Sequence, residues 1–225
     1  MGGDRGAEMA VHGAIAAVRE REDLQVILIG PSDHLEQQLA QCGCGVRERD
    51  RLSVHHATEV ITMDDSPVDA VRKKKEATIM VGFDLVKKGQ ADAVVSAGNS
   101  GATMAAAVRK LGRLPGISRP GIASFFPTLK NPVMLMDIGA NVDCRPQHLY
   151  QFAVMASSCS RLLLDIERPR IGLLSGLGAA VAAAYASGTL HARAMCDQLP
   201  LSKAVRQVGL DDLGDVRIRQ LVLAF

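Results

Sequence analysis

Ala91-Asp92-Ala93-Val94-Val95-Ser96-Ala97-Gly98-Asn99-Ser100-Gly101-Ala102 is an apolar run that passes through a Gly/Asn/Ser turn directly into a helical pattern. It predicts a strand, a tight loop and a helix start. Such a loop turns backbone N–H groups outward with the positive end of a helix dipole behind them, an arrangement suited to phosphate or to an oxyanion. Downstream, Met104, Ala107, Val108 and Leu111 share one helix face before Gly112 and Pro115 break it. Upstream, Ile79, Phe83 and Val86 share a face of another helix, closed by the cations Lys87 and Lys88 and by Gly89.

The same alternation extends in both directions. Ala10, Ala14 and Val18 recur at helical spacing, Leu24 to Ile29 form a β-branched run ending at Gly30-Pro31, and Asp33 to Gln41 read as a helix with Leu35 and Leu39 four apart. A short strand is expected near Leu52 to His56, and further strands at Ile122 to Phe126 and Val133 to Met136. The last run continues Met136-Asp137-Ile138-Gly139-Ala140-Asn141-Val142-Asp143-Cys144, a second strand leading into a small and polar loop. Pro146 suits the first position of the following helix, which places Leu149, Phe152, Ala153, Ala156 and Leu163 on one side, and Ile171 to Leu174 resumes the strand pattern. Buried strands alternating with helices indicate an α/β fold with a mainly parallel sheet covered on both faces. No Pro- or Ser-rich linker interrupts residues 1–175, which read as one continuous domain. Residues 176–225, with the alanine-rich stretch Ala179 to Ala186, form a tail whose fold the pattern does not specify.

Composition narrows the function. With 26 basic and 24 acidic residues the net charge is +2, and 3% aromatic residues leave little to stack on bases, so nucleic-acid binding gains no support. The five cysteines, Cys42, Cys44, Cys144, Cys159 and Cys196, lack the second pair or matched histidines of a zinc site, and reduced thiols in the cytoplasm are expected. Neither a secretory leader nor an apolar stretch of about 18 residues is evident, so neither export nor a membrane span is expected. A metabolic enzyme is the better expectation.

In an open α/β sheet, ligands sit beyond the carboxyl ends of the strands, where both polar loops fall. Gly98 and Gly101 permit close backbone approach, Asn99 and Ser100 add side-chain donors, and Asn141 offers an amide for an oxygen anion. The plainer alternative is two ordinary strand-to-helix turns. Gly98-Asn99-Ser100-Gly101 is not the G-x-G-x-x-G of a dinucleotide site. Asp64 and Asp65 could hold a cation, but Ser66-Pro67 is more simply a turn or cap. His55 and His56 point to opposite faces of a strand, which disfavours a shared metal, and Cys42-x-Cys44 marks a tight loop more readily than a metal or redox pair.

Met1-Gly2-Gly3-Asp4, Met63-Asp64-Asp65-Ser66-Pro67 with its nearby lysines, Ser96 to Ala102, Gly116-Ile117-Ser118-Arg119-Pro120 and Asp137 to Cys144 follow one another in an order that resembles the bacterial phosphate acyltransferases of phospholipid synthesis, the PlsX family. The resemblance spans essentially residues 1–175. It implies a three-layer α/β/α fold related to phosphotransacetylases, and transfer of a fatty acyl group from acyl carrier protein to inorganic phosphate. The acyl phosphate would then serve a glycerol-3-phosphate acyltransferase. It also implies a homodimer, no cofactor and no metal, in a cytoplasmic protein with peripheral membrane contact in the intact family. The family is expected to begin with an apolar strand before Gly2-Gly3-Asp4 and to continue differently beyond Ser175, so a member truncated or altered at both ends, with an incomplete fold, is expected.

The chemistry of the loops suits that reaction. Phosphate is itself the nucleophile, the thioester carbonyl needs an oxyanion pocket, and a thiol leaving group of pKa about 8.5 needs little acid assistance. Asn99, Asn141 and Asp143 are the catalytic candidates, and Gly98, Ser100, Gly101 and Lys74 the substrate-binding ones. Of Lys73, Lys74 and Lys75, at least two are expected simply to line a solvated helix entrance. Cys144 lacks an identifiable histidine partner and is expected to be a small buried thiol rather than a nucleophile. Two other functions stay open: a phosphotransacetylase-like enzyme using acyl-coenzyme A, and a phosphate-binding fragment without catalysis.

Overall fold

The computed structural model describes residues 6–127, 132–137, 144–176, 179–185 and 220–224. The chain divides into two compact units, Met1–Gly112 with Asp215–Phe225, and Arg113–Gly214, so a boundary falls inside the 1–175 span.

The first unit holds α1 (Gly6–Glu20), β1 (Gln25–Gly30), α2 (Ser32–Gln41), α3 (Val46–Arg49), β2 (Leu52–His56), α4 (Pro67–Lys73), α5 (Thr78–Lys87), β3 (Ala93–Ser96) and α6 (Ser100–Leu111). The chain's later strand β8 (Gln220–Ala224) also belongs to it. The sheet order is β2-β1-β8-β3, and each of its pairings is parallel. Ile29 and Ser96 both pair with Ala224, while Gly30 pairs with His56. The carboxyl ends of all four strands therefore meet at one edge.

Alternation along β1 decides how the helices pack. Val26 and Leu28 enter a cluster with Val11, Ala14, Ile15 and Val18 of α1 and Leu35 and Leu39 of α2, whereas Ile27 and Ile29 join Leu85 and Val86 of α5. A third cluster joins Ala70 and Val71 of α4, Ile79, Met80 and Phe83 of α5, and Ala102 and Ala106 of α6. The apolar face expected on α6 is corrected here. Leu111 is 49% exposed and the fully buried positions are Ala102 and Ala106, whose small side chains let α4 and α5 approach closely. Helix α4 has no counterpart among the helices that the sequence pattern predicts; Pro67 occupies its first position, where a missing N–H costs nothing, and Ser66 makes no side-chain cap.

The second unit contains β4 (Ala123–Phe126), β5 (Val133–Met136), α7 (Pro146–Leu164), β6 (Arg170–Gly176) and β7 (Ala179–Tyr185). Its sheet, in the order β4-β5-β7-β6, is antiparallel throughout, which corrects the expectation of a mainly parallel sheet across the chain. The connections explain why. Only two residues separate β6 from β7 and six separate β4 from β5, whereas a parallel crossover needs a dozen or more. The alanine stretch is thus a strand between β5 and β6 despite alanine's weak β-preference, because its flanking strands set the conformation. Helix α7 packs on this sheet, burying Phe152 and Ala156 with Met134 and Met136. Leu163, expected on the same face, is 66% exposed near the helix end. The two sheets and their helices make an α/β protein; the described residues form two four-stranded sheets.

Candidate functional site

Strand β3 ends at Ser96 and its chain turns at once into α6, as the opening stretch of sequence implied. Asn99 is the N-cap: its Oδ1 accepts from the Ala102 N–H at 3.0 Å, and its carbonyl accepts from the Thr103 N–H at 2.9 Å. Ser96 Oγ accepts from the Gly98 N–H at 3.2 Å. The N–H groups of Ser100 and Gly101, the first two of the helix, have no acceptor among the described residues, and Ser100 is exposed. Gly101 is required by packing, since a Cβ there would lie 2.8 Å from Pro67 Cγ. The turn therefore presents N–H groups outward at the sheet's carboxyl edge.

What holds the turn is the segment before α4. Asn99 Nδ2 donates to the carbonyls of Thr62, Met63 and Asp65 at 3.4, 3.3 and 3.2 Å. Within that segment Asp65 Oδ2 accepts from Thr62 N at 2.7 Å, Thr62 Oγ1 at 3.2 Å and Lys74 Nζ at 2.6 Å. Lys74 Nζ also donates to the Val60 carbonyl at 2.9 Å. The Lys74 hydrogen bond, with the Thr62 N–H adding to it, holds the Asp65 carboxyl below the usual carboxylate range. Asn99 and Lys74, both expected to meet substrate, thus have their polar atoms engaged with their own chain.

The second loop lies in the other unit. Asn141 and Asp143 fall outside the described residues, while Asp137 and Cys144 flank them. Asp137 is fully buried at a left-handed φ of 67°, with its N–H donating to the Ile122 carbonyl at 2.7 Å. Cys144 Sγ lies 3.9 Å from Asp137 Oδ2, and the thiol is half-buried rather than fully buried. The Gly116-Ile117-Ser118 segment is clamped to α7 by Gln151. Its Oε1 accepts from Ser118 N and Oγ at 2.9 and 2.6 Å, and its Nε2 donates to the Gly116 carbonyl at 2.7 Å. Sequence reasoning missed Thr62 and Gln151 as organising residues, and weighed Asp65 only as a cation ligand or part of a turn; none of the three stands in a spacing that announces its partner.

The minor candidates resolve into structure. Cys42-Gly43-Cys44 is a helix end, with Gly43 at φ 67° and the Cys44 N–H donating to the Leu39 carbonyl at 3.2 Å. Burial pushes both thiols up, which disfavours the reactive thiolate. His56 Nδ1 accepts from Ser32 N at 3.3 Å and lies 3.1 Å from Ser32 Oγ, so it caps α2 where Pro31 cannot. Among the described residues no group of three or more His, Cys, Asp or Glu side chains could hold a metal ion, and no helix is long and apolar enough to cross a membrane.

A family model described as "Fatty acid synthesis protein" matches residues 1–209. The chain belongs to this family. Within it, the chain is 51% identical over 175 residues to a protein named phosphate acyltransferase from Geotalea uraniireducens, an alignment covering 78% of this chain and 49% of that one. It is 50% identical over 175 residues to the phosphate acyltransferase of Geobacter sulfurreducens, with the same coverage, and 47% identical over 176 residues to that of Oleidesulfovibrio alaskensis, covering 78% and 49%. The resemblance read from the ordered signatures is therefore borne out. The chain spans about half the length of the curated relatives it matches.

Proposed function

We propose that this chain carries the phosphate side of an acyl transfer from a thioester to inorganic phosphate. The observation that carries the reading is the cap at Asn99: it satisfies Ala102 and leaves the Ser100 and Gly101 N–H groups turned outward at the carboxyl edge of a parallel sheet. The relatives named phosphate acyltransferase support the same reading. A phosphate oxygen attacks the carbonyl carbon of the thioester, the C–S bond breaks, and the thiolate leaves to take up a proton. Gly98 allows the backbone to approach, Ser100 and Gly101 donate to the anion, and Asn99 fixes where those donors point. Asn141 and Asp143 remain proposed catalytic residues on the sequence of their loop alone. The donor proposed is acyl carrier protein, and the acyl phosphate is the activated acyl group for a glycerol-3-phosphate acyltransferase.

The test is to incubate the chain with inorganic phosphate and a fatty acyl thioester of either acyl carrier protein or coenzyme A, reading products by mass spectrometry. Acyl phosphate from the carrier-protein thioester alone is expected. Product from coenzyme A alone would assign a phosphotransacetylase-like donor, and phosphate binding without product from either would reduce the chain to a binding module.

A further inference from the structure

The Asp65–Lys74 ion pair lies one hydrogen-bonded step from the α6 turn, and nothing in the proposed transfer uses it. Lys74 follows the last residue of α4, yet its amine turns back over the preceding loop to meet both Asp65 and the Val60 carbonyl. Asp65 in turn closes the loop on Thr62 through both the backbone and the hydroxyl of that residue. The carbonyls of Thr62, Met63 and Asp65 that this loop presents are the three acceptors of Asn99 Nδ2. Asn99 Oδ1 holds the first turn of α6, and Gly101 rests against Pro67 at the start of α4. The path from Lys74 to the Ser100 and Gly101 N–H groups is therefore continuous: ion pair, loop, amide, helix start.

We infer that Asp65 and Lys74 are positioning residues that set the phosphate cradle through the 62–65 loop and Asn99, without either touching substrate. The inference rests on the functional reading above. Both side chains are only about one-third exposed, at 31% for Lys74 and 27% for Asp65, and the pair is a charge-assisted contact of 2.6 Å, so the geometry favours a fixed strut over a mobile surface cation. The plainer possibility gives Lys74 to phosphate directly, as a point charge. The two make opposite predictions for one variant. If Lys74 touches phosphate, Asp65→Asn removes the competing carboxylate and tightens phosphate binding; if the pair is a strut, the same change loosens the loop and weakens it.

The experiment measures the KM for inorganic phosphate and for the acyl thioester separately in the full chain. It also follows the Ser100 and Gly101 amide resonances as phosphate is added. For Asp65→Asn and Lys74→Met the phosphate KM is expected to rise about tenfold with the thioester KM unchanged, the cost of sub-ångström misplacement of donors. Lys74→Arg, which can reach both the carboxylate and the Val60 carbonyl, should recover most of the loss, and Lys75→Met should leave both constants alone. A lower phosphate KM in Asp65→Asn, or an unchanged one in both variants with only thermal stability reduced, overturns the inference. A wild-type chain whose Ser100 and Gly101 amides ignore phosphate overturns the functional reading, and the inference with it.

Discussion

Gly101→Ala separates a packing requirement from a mere turn preference. Gly101 is the second residue of α6, and alanine is the better helix former by about 0.8–1.0 kcal/mol, so on propensity alone the variant gains stability. Against this, the new Cβ would meet Pro67 Cγ at 2.8 Å and Pro67 Cβ at 3.3 Å, and a pyrrolidine ring can yield only by changing its pucker. Overpacking of this kind costs roughly 1–3 kcal/mol, so after the propensity gain a net loss of up to about 2 kcal/mol is expected. That corresponds to a fall of up to about 8 °C in the melting of the first unit. Gly98→Ala is the internal control: its Cβ would meet only Ser96 Oγ at 3.4 Å, an ordinary contact. Denaturant and thermal unfolding of both variants read the result. Gly101→Ala at least as stable as the wild type would refute the close approach of α4 and α6 at this point.

Three further predictions concern the second unit. His148 is buried, its Nδ1 accepts from the Arg145 N–H at 3.1 Å, and burial with the nearby Arg119 and Arg145 cations holds its imidazole below the ordinary value. Because the unfolded chain takes up the proton first, His148 supports the fold fully above about pH 6.5 and loses that support as pH falls through the lower folded value. His148→Gln, which keeps an acceptor for the helix start and cannot titrate, should flatten unfolding midpoints between neutral and mildly acidic pH; an unchanged slope contradicts this. Phe152→Ala removes a fully buried ring that packs with Met134, Met136 and Ala156, and should cost about 3–5 kcal/mol in denaturant unfolding. Leu163→Ala at the exposed end of the same helix should stay within about 0.5 kcal/mol of the wild type.

The sequence stated the local elements well where one pattern acted alone. Leu52 to His56 is a strand to the residue, Pro146 opens α7, and the Val94-Val95-Ser96 run does turn into α6. What escaped it depended on partners distant in the chain. Leu111 looked apolar enough to be core, but the alanines at 102 and 106 face α4 and α5. The alanine stretch carries almost no β-signal and becomes a strand because β5 and β6 flank it. Strand β8 is a similar case, since its place between β1 and β3 is a long-range pairing that no periodicity within Gln220 to Ala224 specifies.

The candidate site was legible in outline and not in its wiring. A glycine-rich turn at the carboxyl end of a buried strand is a local motif, so Ser96 to Gly101 could be singled out. Asn99 reads as a donor to substrate because an amide in such a loop has that chemistry. Its three acceptors lie 34 to 37 residues earlier, and only the folded chain brings them within reach. Lys74 presents the same difficulty: a cation near a glycine-rich turn reads as a partner for phosphate, whereas its amine bonds to Asp65 nine residues earlier.

The proposed acyl transfer to phosphate at the α6 turn is tested most directly with phosphate labelled in all of its oxygens. The labelled anion is supplied with a fatty acyl thioester of acyl carrier protein, and the products are weighed by mass spectrometry. Attack by phosphate on the carbonyl, with cleavage of the C–S bond, predicts acyl phosphate carrying every labelled oxygen and one thiol released per acyl phosphate formed. Free unlabelled fatty acid in its place, or no thiol release, would contradict the account.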